Sequence, residues 1–300
     1  MQNNHVCGEG FFGQTTRRAF GSGYRDLFMT KPGHAIIKLS SPETRQFWPI
    51  PVLWEDARLL ALDKPSGLLT SPDRYDPRRP NLITLLRRGI ARGASWAQER
   101  QLAYLANANR LEFETSGVIL LAKDKSALIA LANQFGAEQS NKTYLALACG
   151  SPTRDALAIN AKLASDPGRF GLMRVDSRQG RKATTRLEVA ERFCGYTLLK
   201  CRPILDRAHQ IRAHLRHARL PIMGDTSYGG RPLFLSKLKP DYRFKPNVAE
   251  RPLINCIALH LEQLAIDHPL TGAAQTFTAP WPKDFTVAVK YLRRYAGANP

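Results

Sequence analysis

Gly117-Val118-Ile119-Leu120-Leu121-Ala122 runs for the length of a strand without a polar side chain, the pattern of a strand covered on both faces. Shorter signals of the same kind surround it. Val52-Leu53-Trp54 and Leu59-Leu60-Ala61-Leu62, separated by the turn-like Glu55-Asp56-Ala57-Arg58, read as a hairpin. Tyr144 to Leu147 suits another strand, Thr185, Leu187 and Val189 alternate as a half-buried one, and Tyr196 to Cys201 continues the pattern. Helices are interspersed. Leu82, Leu85, Leu86 and Ile90 share one face, and Asp124 is an N-cap before Leu128, Leu131, Ala132 and Phe135 at helical spacing. Arg207 to Arg219 reads as a helix with Ile211, Leu215 and Ala218 inward, ending before Pro221. The regular alternation of a doubly wound parallel sheet is missing, so the chain reads as α+β, with a mixed, largely antiparallel sheet and flanking helices.

With 300 residues, 43% of them apolar, the chain can bury a real core. Its 44 basic residues against 25 acidic ones leave a formal charge of +19, which attracts polyanions, nucleic acid first among them. A membrane surface would attract the same charge. No uncharged apolar stretch reaches the roughly 18 residues of a span, however, and Met1 to Gly10 has no signal-peptide core, so a cytoplasmic protein is expected. Cys7, Cys149, Cys194, Cys201 and Cys256 are scattered without a C-x-x-C pair and read as reduced thiols. Residues 1–47 are basic and polar without apolar periodicity and are expected to form a loosely ordered extension, with 48–300 as the folded domain.

Just upstream of the apolar run, Asn109-Arg110-Leu111-Glu112-Phe113-Glu114-Thr115-Ser116-Gly117 concentrates an arginine, carboxylates and hydroxyls. By itself this is either a surface turn with an Arg–Glu pair or a carboxylate held at a strand edge by a cation, available as nucleophile or base. Arg207-Ala208-His209-Gln210-Ile211-Arg212-Ala213-His214 puts Arg207 and His214 on one side of a helix and Arg212 on another, so the arginines can face different partners. His209 and His214 diverge on a helix, which argues against a metal pair. Between Gly230 and Pro252, Arg231, Lys237, Lys239, Arg243, Lys245 and Arg251 alternate with Phe234, Tyr242 and Phe244, offering cations for phosphate and rings for unpaired bases.

Taken in order, several segments resemble one family. They are Lys64-Pro65-Ser66-Gly67, Arg110-Leu111-Glu112 with Thr115-Ser116-Gly117, Lys142-Thr143-Tyr144-Leu145-Ala146, Arg207 with His209-Gln210-Ile211-Arg212 and His214, Pro221-Ile222-Met223-Gly224-Asp225 with Tyr228-Gly229, and Leu259-His260 with His268-Pro269. This succession, over about residues 50 to 285, resembles the RluA-like family of pseudouridine synthases. The resemblance implies a sheet split by a central basic cleft, structured ribosomal or transfer RNA as partner, isomerisation of uridine to pseudouridine, no cofactor and no metal; a monomer is expected. It implies that Glu112 is the carboxylate acting at the sugar C1′ and that Tyr144 packs on the target base and takes part in proton transfer. Arg212 is expected to pair with the carboxylate and keep it ionised, and Arg110 to lie beside the flipped nucleotide. Lys64, Arg207, His209, Gln210, Lys237, Lys239 and Arg243 complete the expected substrate-binding set. The chain departs from the family's His-Arg-Leu-Asp with Asn109-Arg110-Leu111-Glu112, and from its Thr-Gly-Arg-Thr-His with Leu205-Asp206-Arg207-Ala208-His209. One extra methylene at Glu112 moves the carboxylate oxygens by roughly an ångström, which matters where attack geometry is strict. The rival expectation is a catalytically silent RNA-binding or RNA-chaperone protein on the same fold; a hydrolase built on Glu112 and Glu114 lacks a further partner set.

Overall fold

The computed structural model describes residues 35–136, 141–244 and 246–297. Its strands are β1 (Ile36–Ser41), β2 (Gln46–Glu55), β3 (Leu59–Lys64), β4 (Ala106–Asn107), β5 (Ser116–Ala122), β6 (Asn141–Cys149), β7 (Ala156–Asn160), β8 (Leu163–Ser165), β9 (Met173–Val175), β10 (Thr184–Phe193), β11 (Tyr196–Pro203), β12 (Leu259–Asp267) and β13 (Ala274–Thr278). The helices are α1 (Leu82–Ala91), α2 (Ser95–Gln98), α3 (Lys125–Gly136), α4 (Gln210–His217) and α5 (Lys283–Tyr295). One sheet follows the order β1-β2-β3-β5-β12-β6-β11-β10-β7, with β4 on β5 and β13 on β12, while β8 and β9 form a separate ribbon.

The apolar run forms β5, and Val118, Ile119, Leu120, Leu121 and Ala122 are fully buried. Complete burial of each large side chain contributes roughly 1.5–3 kcal/mol, enough to fix this strand inside the sheet. On one side β3 pairs antiparallel, with Leu62 opposite Ile119; on the other β12 pairs parallel, with Leu261 opposite Gly117. The expected hairpin is present as β2–β3, and Asp124 caps α3 by accepting from Ala127 N at 2.8 Å. In α1, Asn81 caps the helix and Leu82, Ile83, Leu85 and Leu86 are buried.

Two expectations are corrected. The sheet begins at Ile36, inside the segment expected to be loosely ordered up to residue 47; β1 alternates exposed and buried residues, with Ile37 and Leu39 inward. The alternation is brief and is diluted by Lys38 and Ser40, so it leaves little mark in composition. Residues 1–34 lie outside the described residues. The helix expected over Arg207–Arg219 is shorter, Gln210–His217, because His209 adopts a left-handed backbone (φ 51°) that interrupts helical geometry on its N-terminal side.

The fold brings distant residues into one row. Because β12 lies between β5 and β6, Gly117 is opposite Leu261 and Leu261 is opposite Tyr144. The turn preceding β5 is stitched to it by Asn109, whose Nδ2 donates to Val118 O (3.0 Å) and whose Oδ1 accepts from Leu120 N (2.8 Å). Ser116 Oγ meets His260 Nδ1 at 2.9 Å across the parallel pair. Burial holds the His260 imidazole neutral, with its pKa lowered to about 4.

Gly117 tolerates no side chain. Its φ is +118°, and a Cβ there would stand 2.2 Å from Leu261 O. Gly117→Ala is expected to destabilise the protein by about 3 kcal/mol in urea unfolding, through forced separation of β5 and β12 combined with backbone strain.

Candidate active site

A cavity of about 370 Å³ opens beside that row, lined by the 110–115 turn, Tyr144 of β6, the loop leading into α4 and the first residues of α4. Its size is in the range of small-ligand sites. Glu112 is partly exposed at its wall, and protein donors address both of its oxygens: Arg212 Nη1 donates to Oε2 at 2.6 Å, and the His209 backbone N–H donates to Oε1 at 3.1 Å. The left-handed backbone of His209 accompanies this second bond, an instance of local strain at a site that surrounding contacts over-determine. The carboxylate thus sits at the N-terminal end of α4, where the helix dipole also favours negative charge.

Arg212 is shared. Its Nε and Nη2 make a bidentate pair with Asp225 Oδ2 (2.7 Å) and Oδ1 (2.8 Å), and its guanidinium lies 4.9 Å over the Tyr228 ring. Arg212 is 5% exposed and Asp225 1% exposed. Burial works against the arginine's charge, but the hydrogen bonds and charges of Asp225 and Glu112 outweigh it and raise its pKa above the ordinary value. Glu114, 3.7 Å from Arg212 Nη2, has its pKa raised by burial, with the arginine pulling the other way.

Tyr144 is buried in the cavity wall; desolvation first, then the charges of Asp206 and Glu112, push its pKa well above the usual value and hold the phenol protonated. Asp206, on the rim, is ion-paired with Lys142, whose ammonium also lies 5.0 Å over the Phe135 ring. Arg110 is exposed at the cavity, and Arg207 is half-buried beside it.

The structure therefore gathers Arg110, Glu112, Tyr144, Arg207, His209, Gln210 and Arg212 around one cavity. Lys64 does not join them. It is fully buried, its Nζ donates to Pro65 O (2.8 Å) and Leu68 O (2.7 Å), and desolvation lowers its pKa to about 7, so the amine braces the loop after β3 rather than reaching substrate. Gln210 is at the cavity but its amide is spent internally, donating to Thr184 O and Thr185 Oγ1 and accepting from Arg207 N. Lys237, Lys239 and Arg243 lie outside the cavity lining, on a loop where Tyr242 and Phe244 pack edge to face at 5.0 Å. Lys245 lies outside the described residues. The histidine pair is accounted for without a metal: His209 Nδ1 meets Tyr228 Oη, and His214 meets Thr185 Oγ1 and Ala161 O.

Residues 58–217 match the family model of RNA pseudouridylate synthases. The chain belongs to the RNA pseudouridine synthase family, in its RluA-like branch. It is 34% identical over 255 residues to "Ribosomal large subunit pseudouridine synthase D" of Xanthomonas campestris pv. campestris, covering 82% of this chain and 70% of that protein. To "Ribosomal large subunit pseudouridine synthase C" of Escherichia coli K12 it is 31% identical over 245 residues, covering 81% and 70%. Among solved structures, "Human RNA Pseudouridylate Synthase Domain Containing 4" shares the fold with a TM-score of 0.60 at 22% identity, over 81% of this chain and 92% of that one.

Within this pseudouridine synthase fold, sequence reasoning missed Asp225 and Tyr228 as parts of the site. The available signal was a buried-type motif, Pro221 to Asp225, ending in an acid. Gly224 in that motif has φ +80° and allows the backbone to pass Cys256 O, where a Cβ would come within 2.3 Å. Arg212→Lys is expected to lower stability by about 3 kcal/mol, because an ammonium cannot fork onto Asp225 while holding Glu112. Chemical denaturation of the variant beside the native protein measures it; equal midpoints would refute the shared-guanidinium account.

Proposed function

We propose that this chain isomerises uridine to pseudouridine in ribosomal RNA, in the cytoplasm, with Glu112 as the carboxylate acting at C1′. The observation that carries this reading is Glu112 held at the cavity wall by Arg212 and the His209 N–H, with Tyr144 in the wall of the same cavity. The printed names of relatives from Xanthomonas campestris and Escherichia coli specify the large ribosomal subunit, which supports ribosomal over transfer RNA. In this reading Arg212 holds the carboxylate aimed, Tyr144 packs on the base, and Arg110 and Arg207 meet phosphate at the mouth. The C1′–N1 bond breaks, the base turns, C5 bonds to C1′, and the C5 proton leaves as N1 gains one.

The extra methylene of Glu112 is matched to its donors, since each oxygen already has a donor in place. Glu112→Gln is expected to abolish tritium release from C5-labelled RNA, and Glu112→Asp to reduce it by about tenfold to a hundredfold through retraction of the oxygens. The rival reading, a silent RNA-binding protein, is favoured by the replacement of the family's aspartate at this position. Native and Gln proteins that are equally inactive would establish it.

Lys237, Lys239 and Arg243, beside the Tyr242–Phe244 pair, extend the phosphate-binding surface beyond the cavity. Replacing the three with alanine is expected to leave thermal melting unchanged while weakening RNA binding, and to reduce the slope of log affinity against log salt by about one per cation removed. An unaltered slope in filter-binding titrations would exclude this surface.

A further inference from the structure

The buried polar side chains near the cavity are paired within the protein, with one exception. Thr70 Oγ1 bonds both to Leu111 O and to Leu111 N, Ser116 Oγ meets His260, and both ends of the Asn109 amide are tied to β5. Thr115 Oγ1 alone, among the buried side-chain oxygens and nitrogens of the described residues, has no hydrogen-bond partner. Thr115 is 2% exposed and lines the same cavity as Glu112 and Tyr144. Its backbone N–H donates to the Glu112 backbone O at 3.2 Å, so the two residues belong to one turn.

A buried hydroxyl left without a partner costs roughly 1–3 kcal/mol, and a valine of the same shape would avoid that cost. We infer that the Thr115 hydroxyl, closed off from solvent in this structure, turns about its Cα–Cβ bond to bind the target uridine nucleotide, completing its hydrogen bonding only when that nucleotide occupies the cavity. The inference rests on the reading of the site given above and extends it to a further substrate contact. A hydroxyl both donates and accepts, so it can meet a base carbonyl or a ribose hydroxyl equally well.

The test compares native protein, Thr115→Val and Thr115→Ser on a C5-tritiated, unmodified large-subunit ribosomal RNA transcript, with thermal melting measured alongside. Thr115→Val is expected to melt no lower than the native protein yet lose about tenfold in kcat/KM, and Thr115→Ser to recover most of the loss. Native kcat/KM in Thr115→Val, a lowered melting temperature with turnover intact, or a loss that serine does not restore would each overturn the inference. Transcripts carrying 2′-deoxyuridine separate the two contacts: the valine defect vanishes on them if the ribose hydroxyl is the partner and persists if the base is. Absence of tritium release by the native chain would defeat the reading of the enzyme instead. The Thr115 contact is then decided by calorimetric affinity for uridine 5′-monophosphate, weaker in Thr115→Val if it exists and equal if it does not.

Discussion

One guanidinium organises the site. Arg212 carries a forked pair to a fully buried Asp225 on one side and a single bond to Glu112 on the other, so three chain segments, the 112 turn, α4 and the 221–230 loop, converge on it. The pairing is asymmetric in consequence. Asp225 has surrendered its hydration and depends on the arginine, whereas Glu112 keeps one face toward the cavity. Removing a partner from a buried pair leaves an uncompensated charge, which is why such an arginine specifies geometry more than it adds net stability. The carboxylate is oriented as a by-product of satisfying the deeper acid.

That arrangement also separates the protein's overall charge from its local one. The chain carries a formal +19, yet Glu112, Glu114, Asp206 and Asp225 cluster around Arg212 and Lys142. In the proposed reading, attraction for a polyanion comes from cations outside this cluster, such as Arg110 and Arg207 at the mouth, while the interior acids would disfavour phosphate and leave room for a neutral base.

What the sequence disclosed and what it hid divide along the range of the interactions involved. β5, the β2–β3 hairpin and the Asp124 cap are local patterns and were readable as such. That Glu112, Tyr144 and Arg212 belong to one constellation was readable through the joint order of their segments, and one cavity brings them together. Their detailed bonding was not, since Arg212 reaches Glu112 across 100 residues of chain. Lys64 illustrates the remaining difficulty: a basic residue in a conspicuous loop looks available for phosphate, and only the sheet that covers it reveals an amine enclosed by backbone carbonyls. β1 was missed for the opposite reason, as a short strand in which two of the three outward residues, Lys38 and Ser40, are as polar as a linker's.

The position of β12 has a consequence for how the chain is made. β5 and β6 come close together in sequence but do not pair; β12, arriving more than a hundred residues later, is inserted between them, and Ser116 bonds to His260 at a separation of 144 residues. During synthesis both earlier strands must wait with open hydrogen-bonding edges, a slow topology that exposes sticky surface. The row Gly117, Leu261, Tyr144 closes only when that late segment emerges, so a chain lacking Leu259–Asp267 lacks the middle of its sheet rather than its margin, and the cavity beside the row cannot take its shape before that strand has been made.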